Sequence, residues 1–234
     1  MYLKEYKITH INTVKSYKST LNIAMDETIL LYVNNKQIAT MTSTPEQLEQ
    51  LVVGHLVCEG VVNTFCDIKD IKIDNTNRIF ARITPALQHN DIKVKSDTHF
   101  NYELIISSLH YLESKVYHQT RGTHAACIIS SNGRCIANAV DIGRHNAVDK
   151  AIGQALMDGF NPNEHFILSS GRQPADMVLK AARVGIPLIV TKAAPLSSGI
   201  MSAYETGICL IGFAQKNSMS VFSHEWRLNG SFQV

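Results

Sequence analysis

Val140–Lys150 reads Val-Asp-Ile-Gly-Arg-His-Asn-Ala-Val-Asp-Lys, and this stretch decides the fold. An apolar strand pattern ends within it and a helix pattern begins at once. It carries two acids, two bases and a histidine around one glycine, which is more charge than an ordinary core segment needs. Because α/β proteins bind ligands where the carboxyl end of a strand leads into a helix, this junction predicts a binding site.

The same strand-to-helix pattern recurs through the second half of the chain. It opens with a hairpin about Asn132-Gly133, a strong turn signal. We predict strands at 125–129, 135–140, 166–169, 188–191, 208–213 and 220–223, and helices at 146–158, 174–184 and 197–205. This alternation predicts an α/β fold with right-handed crossovers and a sheet covered on both faces.

The first half of the chain is less regular. Asn34-Asn35 marks the turn of a hairpin over 28–42, and a capping box at Ser43 and Glu46 starts a helix that ends at Glu59-Gly60. Further predicted elements are two short strands within 67–83, a loop over 87–101 and a helix over 103–119. We therefore expect a smaller α+β domain over residues 1–102 and an α/β domain over residues 103–234.

The composition is that of a globular protein, with 45% hydrophobic and 18% charged residues among 234. A formal net charge of +2 supplies no basic field for nucleic acid. No apolar run approaches the ~18 residues that span a bilayer, and the first residues lack the apolar core of a signal peptide. We expect a cytoplasmic protein that binds neither nucleic acid nor membrane.

The five cysteines are widely spaced and odd in number, which argues against a disulfide framework or a Cys-x-x-Cys zinc site. With a two-residue turn at Asn132-Gly133, Cys127 would face Asn138 and Cys135 would face Ser130. The two thiols would then lie on opposite faces of the sheet. We expect free thiols and no metal site.

Four segments follow the carboxyl ends of predicted strands, namely 141–145, 169–173, 192–198 and 213–218. In an open α/β sheet such segments converge on one edge, where helix N-termini add affinity for anions. They bring together Asp141, Arg144, His145, Ser169, Ser170, Arg172, Lys192, Ser197, Ser198 and Lys216. The set suits a phosphate-bearing ligand.

Each of these residues also has a structural alternative. Asp141 could cap the helix that follows it, and Arg144 could pair with Asp141 or Asp149. The Ser169-Ser170 pair could serve as an ordinary cap. His124, just before the hairpin, could be a hydrogen-bonded structural residue or a neighbour of the same edge. The agreement of all four segments in position is what favours a ligand site.

The sequence resembles the formate dehydrogenase accessory family, the FdhD/NarQ-like sulfur carriers, through most of its length. The similarity is clearest in Leu51–Val62, Thr123-His-Ala-Ala, Asp141–Lys150, Leu168-Ser-Ser-Gly-Arg, Lys180–Pro187, Ala194-Pro, Leu210-Ile-Gly-Phe and Val221-Phe-Ser-His. The resemblance implies a second half similar to the cytidine deaminase fold without its zinc.

The resemblance also implies a function. Family members pass persulfide sulfur from a cysteine desulfurase to a bis-guanine-dinucleotide molybdenum or tungsten cofactor, for a formate-dehydrogenase-like client enzyme, and act as homodimers. The family's nucleotide-binding loop corresponds here to Phe213, Ala214, Gln215, Lys216, Asn217 and Ser218. Together with Asp141, Arg144, His145, Ser170 and Arg172, these are the predicted cofactor contacts.

One motif of the family is missing. Its sulfur-carrying sequence Ser-Cys-Gly-x-Cys-Gly corresponds to Asp91–Tyr102 here, which contains neither Cys nor Gly. Persulfide chemistry needs an accessible thiolate. The sequence therefore predicts an accessory protein that keeps the family's fold and its ligand-binding edge but lacks its sulfur-carrying cysteine motif.

Two alternatives remain at this point. A sulfurtransferase could use Cys127, whose pKa could be lowered by the nearby His124. A metal-free nucleotide-processing enzyme could use Asp141 and His145 as an acid–base pair.

Overall fold

A computed structural model describes residues 2–86 and 92–230. Its strands in chain order are β1 (Leu3–Ile11), β2 (Ser16–Ala24), β3 (Glu27–Val33), β4 (Lys36–Ser43), β5 (Ile68–Ile73), β6 (Arg78–Ile83), β7 (Phe100–Asn101), β8 (His124–Ser130), β9 (Cys135–Asp141), β10 (His165–Ser169), β11 (Leu188–Thr191), β12 (Cys209–Gln215), β13 (Ser218–Ser223) and β14 (Leu228–Asn229). Its helices are α1 (Leu48–Cys58), α2 (Tyr102–Ser108), α3 (Lys115–Thr120), α4 (Arg144–Met157), α5 (Ala175–Val184) and α6 (Ser197–Thr206).

The second half of the chain forms a six-stranded sheet in the order β13-β12-β11-β10-β8-β9. Strands β10, β11 and β12 are parallel, while β8, β9 and β13 run antiparallel to their neighbours. Residues of α4, α5 and α6 cover one face, and α2 with the 3-10 turn Leu109–Leu112 covers the other. The predicted α/β class and the doubly covered sheet are confirmed.

The first half builds a second sheet in the order β4-β3-β6-β5, with its own apolar core against α1. The predicted hairpin about Asn34-Asn35 is present as β3 and β4. The strands β1 and β2 form a separate hairpin that the sequence analysis did not predict, because most of its side chains are exposed. The predicted boundary between residues 102 and 103 stays a prediction.

Two glycines let α1 and α4 pack at backbone distance. A Cβ on Gly54 would lie 1.8 Å from the carbonyl oxygen of Asp149, and one on Gly153 would lie 1.9 Å from that of Gln50. No side chain fits at either position. At this crossing α1, the helix that packs on the four-stranded sheet, lies directly against α4, the helix that follows β9.

A buried ion pair at the end of β9 connects the two halves of the chain. The Nζ of Lys150 lies 2.6 Å from Oδ2 of Asp141, and both side chains are completely buried. The same carboxylate accepts hydrogen bonds from the hydroxyl of Ser43 at 2.7 Å and the hydroxyl of Thr44 at 2.9 Å. Burial alone would raise the pKa of Asp141, but Lys150 and these hydrogen bonds hold the pKa below its usual value.

This ion pair also changes where α1 begins. The predicted capping box at Ser43 is wrong: the hydroxyl of Ser43 is bonded to Asp141, and the helix begins at Leu48 after Gln47, whose φ is 55°. The Ser43 hydroxyl is held against Asp141, to which it donates, so its oxygen does not accept a hydrogen bond from an N–H of the first helical turn as an N-cap would.

The predicted helix over 103–119 is interrupted. The chain forms α2, then the 3-10 turn Leu109–Leu112, and starts α3 after Ser114, whose hydroxyl accepts a hydrogen bond from the N–H of Tyr117. Leu109 and Leu112 are buried in the sheet core. Burying both of them bends the segment away from a straight helix.

The predicted placement of Cys127 and Cys135 on opposite faces is also wrong. Cys127 faces Asn138 as expected, but a bulge pairs Ile129 with Cys135, where the prediction paired Ser130 with Cys135. The extra residue brings Cys135 to the face that holds Cys127 and Ile129. Of the predicted loop over 87–101, residues 87–91 lie outside the described part of the chain, and the rest up to β7 has no regular structure.

Within the described ranges, the longest apolar helices are still too short to cross a membrane.

Replacing Gly54 with Ala is expected to lower the free energy of unfolding by about 1–3 kcal/mol or more, because the new methyl group collides with backbone rather than with a flexible side chain. Urea denaturation measures the loss. Gly122→Ala is the matched control, since a Cβ there has no contact closer than 3.8 Å. Equal midpoints for the two variants would contradict the close crossing.

Replacing Lys150 with Met is expected to cost about 3–5 kcal/mol, because it leaves the buried carboxylate of Asp141 without its counter-charge. The double variant Asp141→Asn with Lys150→Met removes both charges and should recover part of that loss. Chemical denaturation at pH 7 compares the three proteins. A double variant less stable than Lys150→Met would argue against the ion pair as the cause.

Candidate functional site

The carboxyl edge of the six-stranded sheet carries a cavity of about 550 Å³, which we call the first cavity. Its wall is built from β8, the end of β10, the end of β11 and the segment around α3. The lining residues are Leu112, Glu113, Tyr117, Arg121, Gly122, Thr123, His124, Ala125, Ser170 and Lys192. Two of the four predicted segments therefore contribute directly, through Ser170 and Lys192.

Arg144 occupies the first turn of α4 beside this cavity. Gly171 is packed against its side chain so closely that a Cβ there would lie 2.7 Å from Cβ of Arg144. The Nε of Arg144 is buried and has no hydrogen-bond partner within residues 2–86 and 92–230. The same holds for the buried hydroxyl of Thr123, which lines the cavity. Because buried donors are almost always bonded in folded proteins, these two atoms point to a ligand that completes them.

His124 and Ser170 form the floor of the first cavity. The hydroxyl of Ser170 lies 3.2 Å from Nδ1 of His124 and accepts a hydrogen bond from the N–H of Ala125 at 3.0 Å. Burial lowers the pKa of His124, and the charges of Arg144 and Arg172 lower it further. The imidazole is therefore neutral at pH 7 and adds no positive charge to this edge.

A second cavity, also of about 550 Å³, adjoins the first and shares Glu113 and Lys192 with it. The other residues that line it are Tyr102, Glu103, Ile106, Ser107, Leu109, His110, Lys216 and Asn217. Joined by these shared residues, the two cavities follow the edge of the sheet from the turn after β12 to the start of β8.

Lys192, which lines both cavities, forms an ion pair with the acidic side chain of Glu113. The Nζ of Lys192 lies 2.9 Å from one carboxylate oxygen of Glu113, and Nε2 of His118 lies 3.0 Å from the other. The hydrogen bonds from Lys192 and His118 lower the pKa of Glu113, so the carboxylate is ionised at neutral pH. An anion that enters either cavity competes with Glu113 for Lys192.

The structure brings most of the predicted contacts together at this edge. Ser170 and Lys192 line the first cavity, and Lys216 with Asn217 lines the second. Arg144 and the exposed Arg172 lie near His124, close enough for their charges to act on it. His145 lies at the same edge, where its Nε2 is 3.0 Å from the carboxylate of Asp176. Ser197 and Ser198 open α6, and the hydroxyl of Ser198 accepts a hydrogen bond from Ala175. That these residues contact a ligand stays a prediction.

Asp141 and the segment 213–218 need correction. The carboxylate of Asp141 is fully buried and bonded to Lys150, Ser43 and Thr44. Its role is structural, but it is not the helix cap that the sequence suggested, because α4 begins after Gly143 without a side-chain cap. The same carboxylate also accepts a hydrogen bond from the N–H of Gly143 at 2.8 Å, just before α4.

The predicted loop at 213–218 is mostly strand. β12 continues to Gln215 through an irregularity at Phe213, whose φ is 54°, and β13 begins at Ser218. Only Lys216 and Asn217 form the turn, and Ala214 is buried in the sheet core. The buried face of β12 therefore continues to Ala214, although the polar residues of the segment 213–218 had indicated a loop.

The two alternative sites find little support in the geometry. Cys127 is completely buried, and the hydrogen bond to Cys135 together with burial raises its pKa. Asp141 and His145 do not pair with each other, because Asp141 is held by Lys150 and His145 by Asp176. Within the described residues, no group of three or more His, Cys, Asp or Glu side chains is arranged to hold a metal ion.

Sequence reasoning missed the contribution of the segment before β8. Glu113 and Tyr117 belong to the predicted helix over 103–119 and Arg121 follows it, and the break at Ser114 turns this segment towards the cavities. In the sequence, only the Thr123-His-Ala-Ala block pointed to this region, and that block does not show which side chains lie next to it in space.

Comparisons with known proteins agree with this architecture. The family model described as the FdhD/NarQ family matches residues 24–98 and 79–229. A sulfur carrier protein FdhD from Sulfolobus acidocaldarius is 31% identical over 98% of this chain and 100% of its own length. One from Methanothermobacter thermautotrophicus is 31% identical over 88% of this chain and 91% of its own.

A solved structure is similar throughout. The crystal structure of a protein assigned as a formate dehydrogenase accessory protein from Desulfotalea psychrophila has a TM-score of 0.91 and 25% sequence identity, and the match covers 98% of this chain and 100% of the other. On the sequence match and the shared fold, the chain belongs to the FdhD/NarQ family.

Proposed function

We propose that this protein is an accessory protein for a formate-dehydrogenase-like molybdenum or tungsten enzyme, and that it binds a bis-guanine-dinucleotide pterin cofactor at the carboxyl edge as cargo. The family membership and the names of the relatives support the accessory role. The chemistry of the edge supports an anionic ligand with several phosphates.

The observation that carries the proposal is the buried, unpartnered Nε of Arg144. Its guanidinium stands in the first turn of α4, where the helix dipole also favours an anion. Arginine binds phosphate oxygens through two parallel N–H donors, so a diphosphate here would satisfy a donor that otherwise costs free energy. The unpartnered hydroxyl of Thr123 offers a further contact to the same ligand.

The two adjoining cavities suit a ligand that is long and charged in its middle. The first cavity presents polar side chains and the arginine edge, and the second presents Leu109, Ile106 and Tyr102, on which a flat base could stack. Lys192 stands between them. A nucleoside diphosphate placed along this path would put its phosphates near the cations and its base against the apolar wall.

Further parts of the proposal follow from family membership. The client enzyme and a cysteine desulfurase are the expected partners, and a homodimer is the expected assembly. A likeness of the six-stranded half to the cytidine deaminase fold is proposed on the same grounds. Analytical ultracentrifugation of the purified protein tests the homodimer directly.

Guanosine diphosphate is the simplest probe of this site. We expect saturable binding to the wild type by calorimetry and a loss of about 10–100-fold in affinity for Arg144→Ala, the range expected when a charge-assisted hydrogen bond is removed. Arg134→Ala is the matched control, because Arg134 is an exposed arginine in the turn at the opposite end of β8. No binding by the wild type at millimolar concentration, or equal losses in the two variants, would contradict the proposal.

Replacing Glu113 with Gln is expected to strengthen binding of guanosine diphosphate a few-fold, because it frees Lys192 from an exposed ion pair that contributes about 0–1 kcal/mol. The gain should shrink as salt concentration rises. Calorimetry at two ionic strengths measures it, with Glu164→Gln at the far end of the sheet as the control. Weaker binding by Glu113→Gln would show that the carboxylate contacts the ligand and does not compete with it.

A further inference from the structure

The hairpin of β1 and β2, residues 3–24, has no core of its own, and we call it the arm. Every residue of the arm is at least partly exposed to solvent. Two-stranded hairpins of this kind are only marginally stable in water. The ladder between the two strands and the packing of β2 on α3 hold the arm in place. Most of its surface is therefore open to a contact outside the chain.

The most exposed apolar side chains lie at the tip of the arm. Ile11 is 81% exposed and Val14 is 88% exposed, the two highest values among the large apolar side chains of the described residues. They flank the turn residues Asn12 and Thr13. Folded proteins bury Ile and Val more often than most other residues. Exposed apolar side chains that cluster at one point mark a surface that contacts protein or membrane.

The backbone of the tip is hydrogen-bonded within the turn. The N–H of Asn12 donates to the carbonyl of Lys15 at 3.0 Å. The side-chain oxygen of Asn12 accepts hydrogen bonds from the N–H groups of Val14 and Lys15, each at 2.9 Å. Backbone groups without partners are costly in an apolar region. The tip can therefore leave water without losing these hydrogen bonds.

The arm carries a concentrated positive charge. Its charged residues are four lysines and one acid, which give a formal charge of +3 where the whole chain has +2: Lys4, Lys7, Lys15, Lys18 and Glu5. Lys15 follows Val14 directly, and Lys18 lies three residues further along β2. Glu5 pairs with Asn22 across the ladder near the base, about 20 Å of strand from the tip. The charge beside the apolar tip is therefore positive, and its complement is an anionic surface.

Two tyrosines lie on one face of the arm behind the tip. The register places Tyr6 opposite Leu21 and His10 opposite Tyr17, so these side chains share a face. Both tyrosines are about half exposed, and the Nζ of Lys15 lies 5.9 Å from the ring centre of Tyr17. Tyrosine is enriched where lipid meets water, because its ring is apolar and its hydroxyl is polar.

We propose that the tip of the arm is a membrane-contact site, at which Ile11 and Val14 enter the headgroup region of an anionic lipid surface and the lysines of the arm meet its negative charge. Binding of this kind combines buried apolar area with electrostatic attraction, and it needs no membrane-spanning helix. The site is separate from the proposed cofactor site, and it departs from the sequence-based expectation that the protein binds no membrane.

Charge and shape favour lipid over the other occupants of such a tip. A second copy of the chain placed tip to tip would bring its own lysines against these lysines. An acidic protein would match the charge, but two apolar side chains on a narrow turn offer it little area, since stable protein interfaces bury about 800 Å² per partner. A lipid surface needs no matching shape and accommodates both the apolar side chains and the lysines.

Sedimentation of the full-length protein with lipid vesicles tests the proposal. One set of vesicles is an equal mixture of phosphatidylglycerol and phosphatidylcholine, and the other is phosphatidylcholine alone. We expect the wild type to bind the mixed vesicles, and to bind the neutral vesicles at least about tenfold more weakly, because each lysine near an anionic surface contributes about fivefold. Binding to the mixed vesicles should fall as the salt concentration rises.

Two double variants separate the apolar and the charged contributions. Ile11→Ser with Val14→Ser keeps the charge and should weaken binding to the mixed vesicles about tenfold or more. Lys15→Gln with Lys18→Gln keeps the apolar tip and should weaken that binding about fivefold for each lysine. Met201→Ser is the matched control, because Met201 is a 62% exposed apolar residue on α6, outside the arm, and it should bind as the wild type does.

Several outcomes would overturn the proposal. The wild type could fail to bind the mixed vesicles, or could bind both sets equally. Unchanged binding by the serine variant would show that charge alone attracts the arm, as an acidic protein also would. An equal loss in Met201→Ser would show that the tip is not the site. Thermal unfolding of each variant checks that it folds, and the comparison of the two vesicle sets uses the wild type alone. Binding of guanosine diphosphate should be unchanged in every variant, which keeps this result distinct from the cofactor proposal.

Discussion

The buried ion pair of Asp141 and Lys150 is the interaction on which the rest of the structure depends. It closes the strand-to-helix junction at the end of β9 and recruits Ser43 and Thr44 from the end of β4. A buried charge pair is tolerated only when its remaining hydrogen bonds are satisfied, and among the described residues the two oxygens of this carboxylate accept from six donors. This buried charged centre therefore fixes the four-stranded sheet against the six-stranded sheet.

A second buried cluster lies one residue earlier in α4. The Nζ of Lys180 bonds the carboxylates of Asp149 at 2.8 Å and Glu59 at 2.7 Å, and His55 approaches Asp149 from α1. Charges from α1, α4 and α5 thus meet beneath the helix crossing that Gly54 and Gly153 permit. Close backbone packing and fixed charges together set the position of α4, and with it the direction in which Arg144 points.

The carboxyl edge follows from that fixed position. His124 is neutral, so the positive field comes from Arg144, Arg172, Lys192 and Lys216, and Glu113 is the internal anion that partly offsets it.

The sequence by itself determined the alternation of strands and helices, the class of fold and the edge at which the charged segments meet. Those features follow from local apolar periodicity, from turn residues such as Asn132-Gly133, and from the family blocks. Tertiary structure decided the rest. The role of Asp141 depended on Lys150, Ser43 and Thr44, and the break at Ser114 depended on burial of Leu109 and Leu112. The sheet face on which Cys135 lies depended on a bulge of one residue. Each of these is a contact between residues distant in sequence or a one-residue shift of register, and local patterns carry no information about either.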